Sequence, residues 1–531
     1  MTTYRMNNIK AGIEVAETEV LANIRLELQK MGIGDISALK LIKKSLDARK
    51  KDKLFFVYAA QFESLVKIEA SADIFAVEEE EKLEVAANGR VFSSRPVVVG
   101  SGPAGMMAAL CLAEMGAKPI VLERGAPVFE RQKMVRTFWD KGEFSEISNV
   151  QFGEGGAGTF SDGKLMTGIK KDKFTAKVLH EFVEAGAPKE ILYLAKPHIG
   201  TDNLVNMVEN IRKKIIRLGG DYRFYEKLVD IKVVNGALEA ISVQRRDGAC
   251  YEIKTDNLFL ALGHSARDTF EMLYRRGVAM EQKPFAVGVR IEHKQEDINL
   301  AQYGRTYFRS SYLGAADYKL AAHFDNNRSV YTFCMCPGGV VVGATSLAGH
   351  VVTNGMSEFK RDRENANAAV LVNVDARDFG SNEPLAGMYF QETLEKKAFL
   401  LGGGDYFAPA QTVRDFLLGK KTVRFGKVNP SYLPGVRGAD FRELFSPELY
   451  ATLQKGLLEM SKKLKGFDDG EAVLTAVESR SSSPVRILRG KDFQSNIKGI
   501  YPLGEGAGYA GGITSAAVDG FKGGMIKGKI L

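Results

Sequence analysis

The residues with the clearest chemical purpose lie at Gly100-Ser101-Gly102-Pro103-Ala104-Gly105, between the apolar run Val97 to Val99 and a helical pattern closed by Gly116. Gly100 permits a tight turn, Gly102 lets backbone N–H groups approach a pyrophosphate, and Gly105 allows close helix–strand packing. The helix that follows turns the positive end of its dipole toward the phosphates. A second apolar strand, Pro119 to Leu122, ends in Glu123, roughly 20 residues past the turn, where an acidic residue accepts hydrogen bonds from an adenosine ribose. Arg124 adjoins it and is counted with the cofactor-binding set. Glycines alone are a weak signal, but strand, glycines, helix, second strand and terminal carboxylate together specify a dinucleotide-binding βαβ unit.

Other side chains are candidates for redox or substrate chemistry. Cys334 and Cys336 form a close pair before Pro337-Gly338-Gly339. In an extended strand positions i and i+2 share one face, so both thiols are expected either on one cavity wall or packed together in a core. Arg480 and Arg486, in ESRSSSPVRI, either clamp an anion bidentately or pair with Glu478. The six histidines fall singly, and His264 beside Gly263 is the one near cofactor chemistry. The sequence shows no CxxxxC redox pair, no second strand–GxGxxG–helix unit, and no P-loop, nucleophile elbow or HExxH. Two cysteines without a partner pair make no zinc site, so no metal is expected.

These residues need a scaffold. From Arg95 the pattern runs strand, glycine turn, helix, strand, and similar glycine-rich chemistry returns only at residues 499–524, so the nucleotide domain is expected to be interrupted. Residues 90–275 form its first part and 481–531 its C-terminal return. Between them, residues 276–480 mix β-rich stretches (FAVGVRIEH, SVYTFCMC, GVVVGAT) with two patterns read as helices (GMSEFKRDRENANAAVLV and PELYATLQKGLLEMSKKL), as an inserted α+β substrate domain would. Residues 1–85 read as a small α/β module and linker. The module holds a strand near Asn8 to Val15, a helix from Glu17 to Met31 ended by Gly32, a second helical pattern and LFFVYAA; the linker carries the acidic run Glu78 to Glu81 and the turn Asn88-Gly89. The basic stretch LKLIKKSLDARKKDK, residues 39–53, is expected to be a solvated helix face running into a turn, the other reading being an anion-binding patch.

Three further segments resemble the large FAD-dependent oxidoreductases of the glutathione-reductase-like fold. QFGEGGAGTFSDGKLMTG, residues 151–168, is similar to their second glycine-rich loop, which implies that Gly156, Ala157, Gly158 and Thr159 approach the flavin. TDNLFLALGHS, residues 255–265, is similar to their strand ending in Ala-Thr-Gly, with Leu262 in the Thr place and Gly263 at the turn. GIYPLGEGAGYAGGITSAAVDG, residues 499–520, is similar to their C-terminal strand-to-helix motif. That likeness implies Gly504 and Glu505, the latter replacing the usual Asp, at the ribityl or phosphate region, and a helix starting at Gly512-Ile513 aimed at the flavin pyrimidine edge.

With KKSLDARKK, KPFAVGVRIEH, TFCMCPGG and ESRSSSPVRI added, the chain resembles, over nearly its full length, an uncharacterised bacterial family of FAD-dependent dehydrogenases. The resemblance implies a three-layer FAD/NAD(P)-binding Rossmann-like α/β domain interrupted by an α+β substrate domain, with an N-terminal module resembling a ferredoxin-like fold. It also implies FAD, hydride or electron transfer at flavin N5, and a small-molecule substrate that it does not identify; NAD(P)H enters as an external donor to be tested. By resemblance to related reductases, the turn Cys334-Met-Cys336-Pro-Gly-Gly339 lines the open face of the isoalloxazine.

Composition bounds the rest. At 531 residues the chain exceeds one ordinary core, so two or three domains are expected. Its 55 glycines exceed the roughly 7% background and belong in functional turns. Four cysteines are too few for a disulfide framework and point to the reducing cytoplasm. No apolar run reaches the roughly 18 residues of a membrane helix and MTTYRMNNIK lacks a secretory core, so no membrane partner is expected. A net charge of +8 over this length is a solubility feature more often than a nucleic-acid footprint. The alternative reading is a flavin-bearing RNA-modifying or RNA-binding protein that uses residues 39–53.

Overall fold

The computed structural model describes residues 1–78, 83, 85, 92–165 and 172–525. The expected linker signals at Glu79 to Glu81, Asn88 and Gly89 lie outside the described residues.

Five parallel strands form one sheet in the order Ile500–Pro502, Leu258–Leu260, Val97–Val99, Ile120–Glu123, Asp221–Phe224. The first four are buried at every residue, as parallel strands covered on both faces must be. Side chains alternate between those faces. Val98, Val121, Phe259 and Tyr501 join a core with helices Pro103–Glu114, Thr201–Arg217 and Ile513–Met525. Val97, Val99, Leu122, Leu258 and Leu260 face a three-stranded antiparallel sheet, Glu226–Val234, Ala237–Arg245 and Cys250–Lys254. The result is three layers: helices, parallel sheet, antiparallel sheet.

Helix Pro103–Glu114 is buried from Ala104 to Ala113 because it is enclosed on nearly every side. Helix Ile513–Met525 crosses it through glycines. A Cβ at Gly520 would stand 1.9 Å from the Ala104 carbonyl oxygen, and one at Gly524 3.0 Å from that of Ala108.

A second, seven-stranded sheet has the order Ala321–His323, Ser329–Cys336, Asn365–Val374, Phe285–Lys294, Val473–Glu478, Ala408–Thr412, Val436–Gly438. Its pairs are antiparallel except the last. The expected helix over GMSEFKRDRENANAAVLV is absent: Asn365–Val374 is a central strand paired along its whole length with Phe285–Lys294. A run buried on both faces carries neither the strand nor the helix period, and pairing on both sides decides its form. The other expected helix is present as Pro447–Ser461.

The N-terminal residues form a four-stranded antiparallel sheet in the order Ser37–Asp47, Phe55–Ser64, Thr2–Gly12, Ile74–Ala76. Helix Glu17–Lys30 packs Val20, Ile24 and Leu28 against Tyr4, Met6, Tyr58 and Phe62 of the sheet. The opening strand starts at Thr2, ahead of the expected Asn8. The basic stretch is likewise a strand through Asp47, not a helix. Cross-strand pairing with Phe55–Ser64 outweighs the helix propensity of its lysines and leucines. Lys44 pairs with Glu17 at 2.6 Å and lies over the Phe56 ring at 4.5 Å.

The glycine contacts make a direct test. Gly105→Ala would place a methyl 1.9 Å from the Gly100 carbonyl oxygen, and Gly520→Ala would do the same at Ala104. Each is expected to destabilise the apoprotein by about 1–3 kcal/mol, read as a lowered Tm; an unchanged melting curve would reject this packing.

Candidate functional site

The glycine turn does three separate jobs. Gly100, at φ +98°, lies where a Cβ would be 2.2 Å from the Ala261 carbonyl oxygen, so only glycine lets Val97–Val99 and Leu258–Leu260 feed their turns side by side. Gly105 lies beneath it as a helix contact. At Gly102 the nearest atom to an added Cβ is Gly156 Cα, at 3.7 Å. Gly102 and Gly156 therefore stand back to back and leave the floor of a cleft free of side chains.

Glu123 joins the parts. Its carboxylate accepts from Ser101 N at 2.9 Å, Gly125 N at 2.9 Å and Gly153 N at 3.0 Å, linking the glycine turn, its own strand end and the 151–158 loop. The loop is held from behind by Arg131, which is fully buried. Its guanidinium donates to the carbonyls of Asn149, Val150, Gly153, Glu154 and Gly156 at 2.7–3.2 Å. Burial lowers its pKa to about 10, so it keeps its charge at neutral pH. Glu154 clamps the other side, accepting from Arg212 Nε at 2.7 Å and Val128 N at 2.8 Å.

The cleft brings together most of the expected set: Gly100 to Ala104, Glu123, Arg124, Gly156 to Gly158, Gly263, Glu505, Gly512 and Ile513 line it. The N-termini of Pro103–Glu114 and Ile513–Met525 both open into it. Gly105, Thr159 and Gly504 lie behind the wall; Gly504, at φ +71°, packs where a Cβ would be 2.6 Å from Ala104 Cβ. The far wall comes from the seven-stranded sheet and the hairpin Val340–Gly343/Thr353–Met356, and includes Phe333, Cys334, Asn354, Glu478 and Arg480.

Residues 284–481 match the family described as FAD-dependent protein, C-terminal domain-like; residues 94–302 match pyridine nucleotide-disulphide oxidoreductase, and residues 3–63 a domain of unknown function. A Clostridium beijerinckii protein named only as uncharacterized is 47% identical over 525 residues, 98% of this chain and 97% of the relative. The chain belongs to a family of FAD-dependent oxidoreductases. Among solved structures, a variant of E. coli quinol fumarate reductase aligns at 12% identity and TM-score 0.38 over 82% of this chain and 69% of its own. A flavoprotein/dehydrogenase from Cytophaga hutchinsonii aligns at 12% and 0.34 over 81% and 77%. Neither likeness carries an argument about chemistry.

The flavoprotein's cleft fits its cofactor. A Cβ at Gly102 or Gly156 would intrude on the bare floor where two chain segments cross, and two helix N-termini of twelve and thirteen residues face the same space, as a dinucleotide with phosphates and an electron-accepting ring requires. Arg124 stacks on Phe152 at 4.2 Å and is fixed by a bidentate pair with Asp268 at 2.9 Å.

The cysteine and arginine expectations need correction. Cys334 has φ +42° and sits in a register shift between Phe333 and Cys336, so the strand bulges and the two thiols part. Cys334 opens into the cleft, whereas Cys336 is buried and donates to the Cys334 carbonyl at 3.2 Å. Burial raises the Cys336 thiol pKa, and desolvation between the cleft walls raises that of Cys334 to about 11 although its side chain is exposed to the cleft. Arg480 and Arg486 form no common clamp, and neither pairs with Glu478. Arg480 is locked bidentately to buried Glu395 at 2.8 and 2.7 Å and donates to Ser265 and Ser346. Arg486 lies off the cleft, 3.3 Å from Glu281. The partner of Glu478 is Arg290, fully buried, at 3.0 and 2.7 Å, and Arg290 also holds Asn367 and the Cys334 carbonyl.

Sequence reasoning missed Arg131, Arg290, Glu395 and the Lys164–Asp162–Arg361 group. Asp162 takes Lys164 at 2.6 Å and Arg361 at 2.5 Å, and Lys164 also donates to the Met335 carbonyl. Lys164 lies within the quoted 151–168 segment, so its charge at the end of a glycine loop was the available signal. Burial, with Arg480 and Arg267 nearby, pushes His264 down to about 3, which keeps its imidazole neutral.

Two variants separate the roles. Gly102→Val is expected to abolish FAD binding while the apoprotein melts within a few degrees of wild type, since the side chain enters the cleft floor. Arg131→Leu strips five buried carbonyls of their donor and is expected to lower stability by about 3 kcal/mol or more along with FAD affinity. Released-flavin chromatography and thermal unfolding measure both; full flavin occupancy in Gly102→Val would place the cofactor elsewhere.

Proposed function

We propose that this FAD-dependent oxidoreductase acts on a small-molecule substrate held between the flavin loops and the wall of Phe333, Cys334 and Asn354, with NAD(P)H as an external electron donor and the cytoplasm as its compartment. One observation carries the reading. A non-glycine residue held at positive φ costs on the order of 1 kcal/mol, and such strain collects at functional sites; here it turns Cys334 out of a strand and into the cleft.

When bound, FAD supplies hydride or electron transfer at its N5. The chain's own residues do the rest. The loop 156–158 and the helix start at Gly512-Ile513 supply N–H dipoles. Phe333 and the hairpin residues Ala344 and Val352 give apolar walls that exclude water. Lys164 lines the cleft, and because Asp162 is shared with Arg361 the group retains a net positive charge that favours electron-rich ligands, whereas the charge of Arg480 on the far wall is matched by Glu395. Cys334, with its thiol protonated at neutral pH, can hold a proton at Sγ toward the substrate. Glu505 has a carboxyl that burial lifts to about 7 from an ordinary 4.5, with Lys283 pulling the other way; it faces the cleft as a neutral donor or a charged acceptor.

Anaerobic reductive titration with NADH and NADPH, followed by an acceptor and metabolite screen, tests the reading: bleaching of the flavin absorbance by one nicotinamide is expected, and turnover with no donor and acceptor pair would reject it. Cys334→Ser is expected to change flavin reoxidation or turnover at least about threefold without loss of FAD, whereas Cys336→Ser should leave both unchanged. Identical kinetics in all three proteins would confine both cysteines to packing.

Glu505 gives a pH prediction for the apoprotein. A carboxyl raised in the folded state favours folding while protonated, so its contribution is full below the unfolded value of 4.5 and disappears as pH rises through about 7. Wild-type apoprotein should lose Tm across that interval more steeply than Glu505→Gln. Parallel curves would show that Glu505 is solvated.

A further inference from the structure

The cationic excess of the chain has a local surface expression far from the flavin cleft. The end of helix Val413–Leu418 and the turn after it expose Leu418 (60%) and Val423 (86%), and helix Pro447–Ser461, hydrogen-bonded to that helix end, exposes Leu458 (46%). Lys420, Lys421 and Arg424 of the turn, with Lys455 and Lys465 from the helix and its C-terminal end, are exposed, and among the described residues none of these five makes an ion pair. The two elements are physically joined: Gln454 Nε2 donates to the carbonyls of Phe416 at 2.8 Å and Leu417 at 3.2 Å. The turn is also anchored. Buried Thr422 accepts from Thr412 N at 2.9 Å, donates to Asp415 at 2.7 Å and bonds through its N–H to the Ala439 carbonyl, while Gln411 holds the Lys420 carbonyl at 2.6 Å. Leu418 and Val423 are therefore held out in water by a fixed backbone and do not owe their exposure to a frayed end.

The geometry points to a docking face for an anionic lipid bilayer. Exposed apolar side chains accompanied by four lysines and one arginine on two joined elements fit the boundary between headgroups and acyl chains, where the apolar groups are buried and the cations meet lipid phosphates. A nucleic acid would satisfy the cations and leave Leu418, Val423 and Leu458 without a partner. This departs from the expectation of no membrane partner, and it invokes no spanning segment: no described helix is long and apolar enough to cross a membrane.

Flotation of the full-length holoprotein with vesicles of phosphatidylcholine plus phosphatidylglycerol, against phosphatidylcholine alone, tests it. The protein should float with the anionic vesicles only, and be released as salt approaches 1 M, where screening acts within about 3 Å. Lys420→Glu/Lys421→Glu and, separately, Val423→Asp should each weaken vesicle binding at least about tenfold, with FAD content and circular dichroism unchanged. The same charge change at exposed positions elsewhere, Lys53→Glu/Lys254→Glu, should not. Absence of flotation, equal loss in the control pair, an unaffected Val423→Asp, or RNA retention without vesicle binding would each overturn the proposal.

Discussion

One carboxylate holds the cofactor end of this protein together. Glu123 sits at the C-terminal end of a buried parallel strand and takes N–H groups from the glycine turn, from its own strand end and from the following loop. Each of those amides would otherwise be a buried donor, and an orphaned buried donor costs about 1–3 kcal/mol. The position of Glu123 thus sets the distance between Gly102 and Gly156, and that distance makes the cleft floor. Arg131 works from the opposite side, drawing the loop's carbonyls inward. Carbonyls gathered on a buried cation and amides gathered on a buried carboxylate give the loop a fixed polarity before any ligand arrives.

Much of the nucleotide-binding half could be read because its chemistry is local in sequence. The turn from Gly100 to Gly105 needs a positive φ, an open approach and a close helix contact within six residues, and glycine alone serves all three. Glu123 and the 499–520 segment are similarly bound to strand ends. The rest depends on pairing across hundreds of positions. Asn365–Val374 read as a helix because a strand buried on both faces has no polar face to give it period. Ser37–Asp47 read as a helix because its lysines fit a solvated helix as well as an edge strand.

The misreading of Cys334 and Cys336 has the same origin. Alternation along a strand is a property of regular backbone, and a bulge breaks it at the residue that takes positive φ. Nothing in Cys-Met-Cys announces the bulge, which precedes Gly338 and Gly339, where the chain passes so close to the carbonyls of Arg361 and Met356 that an added Cβ would stand 1.8 and 2.3 Å from them. Arg480 does line the cleft, but its partner was missed for a related reason, since Glu395 lies on helix Ala386–Leu401, distant in sequence.

The buried ion pairs then explain how the wall opposite the glycine turn is held in place. Arg290 with Glu478 and Arg480 with Glu395 each match a cation to an anion on a different element, and one member of each pair, Glu478 and Arg480, lines the cleft. Such pairs are weak sources of stability, because desolvation offsets most of the attraction. Their geometry is nevertheless demanding: both are bidentate, and both bring in partners from other elements, the Cys334 carbonyl and the Asn367 side-chain amide oxygen in one case, the Ser265 and Ser346 hydroxyls in the other. Separating the partners of either pair would leave a charge uncompensated in the interior. The pairs therefore hold the wall bearing Cys334 together, and the hydrogen bond from Arg480 to Ser265 ties that wall to the turn bearing His264. The strained thiol position persists because the backbone carbonyl of Cys334 is itself tied to the Arg290 guanidinium.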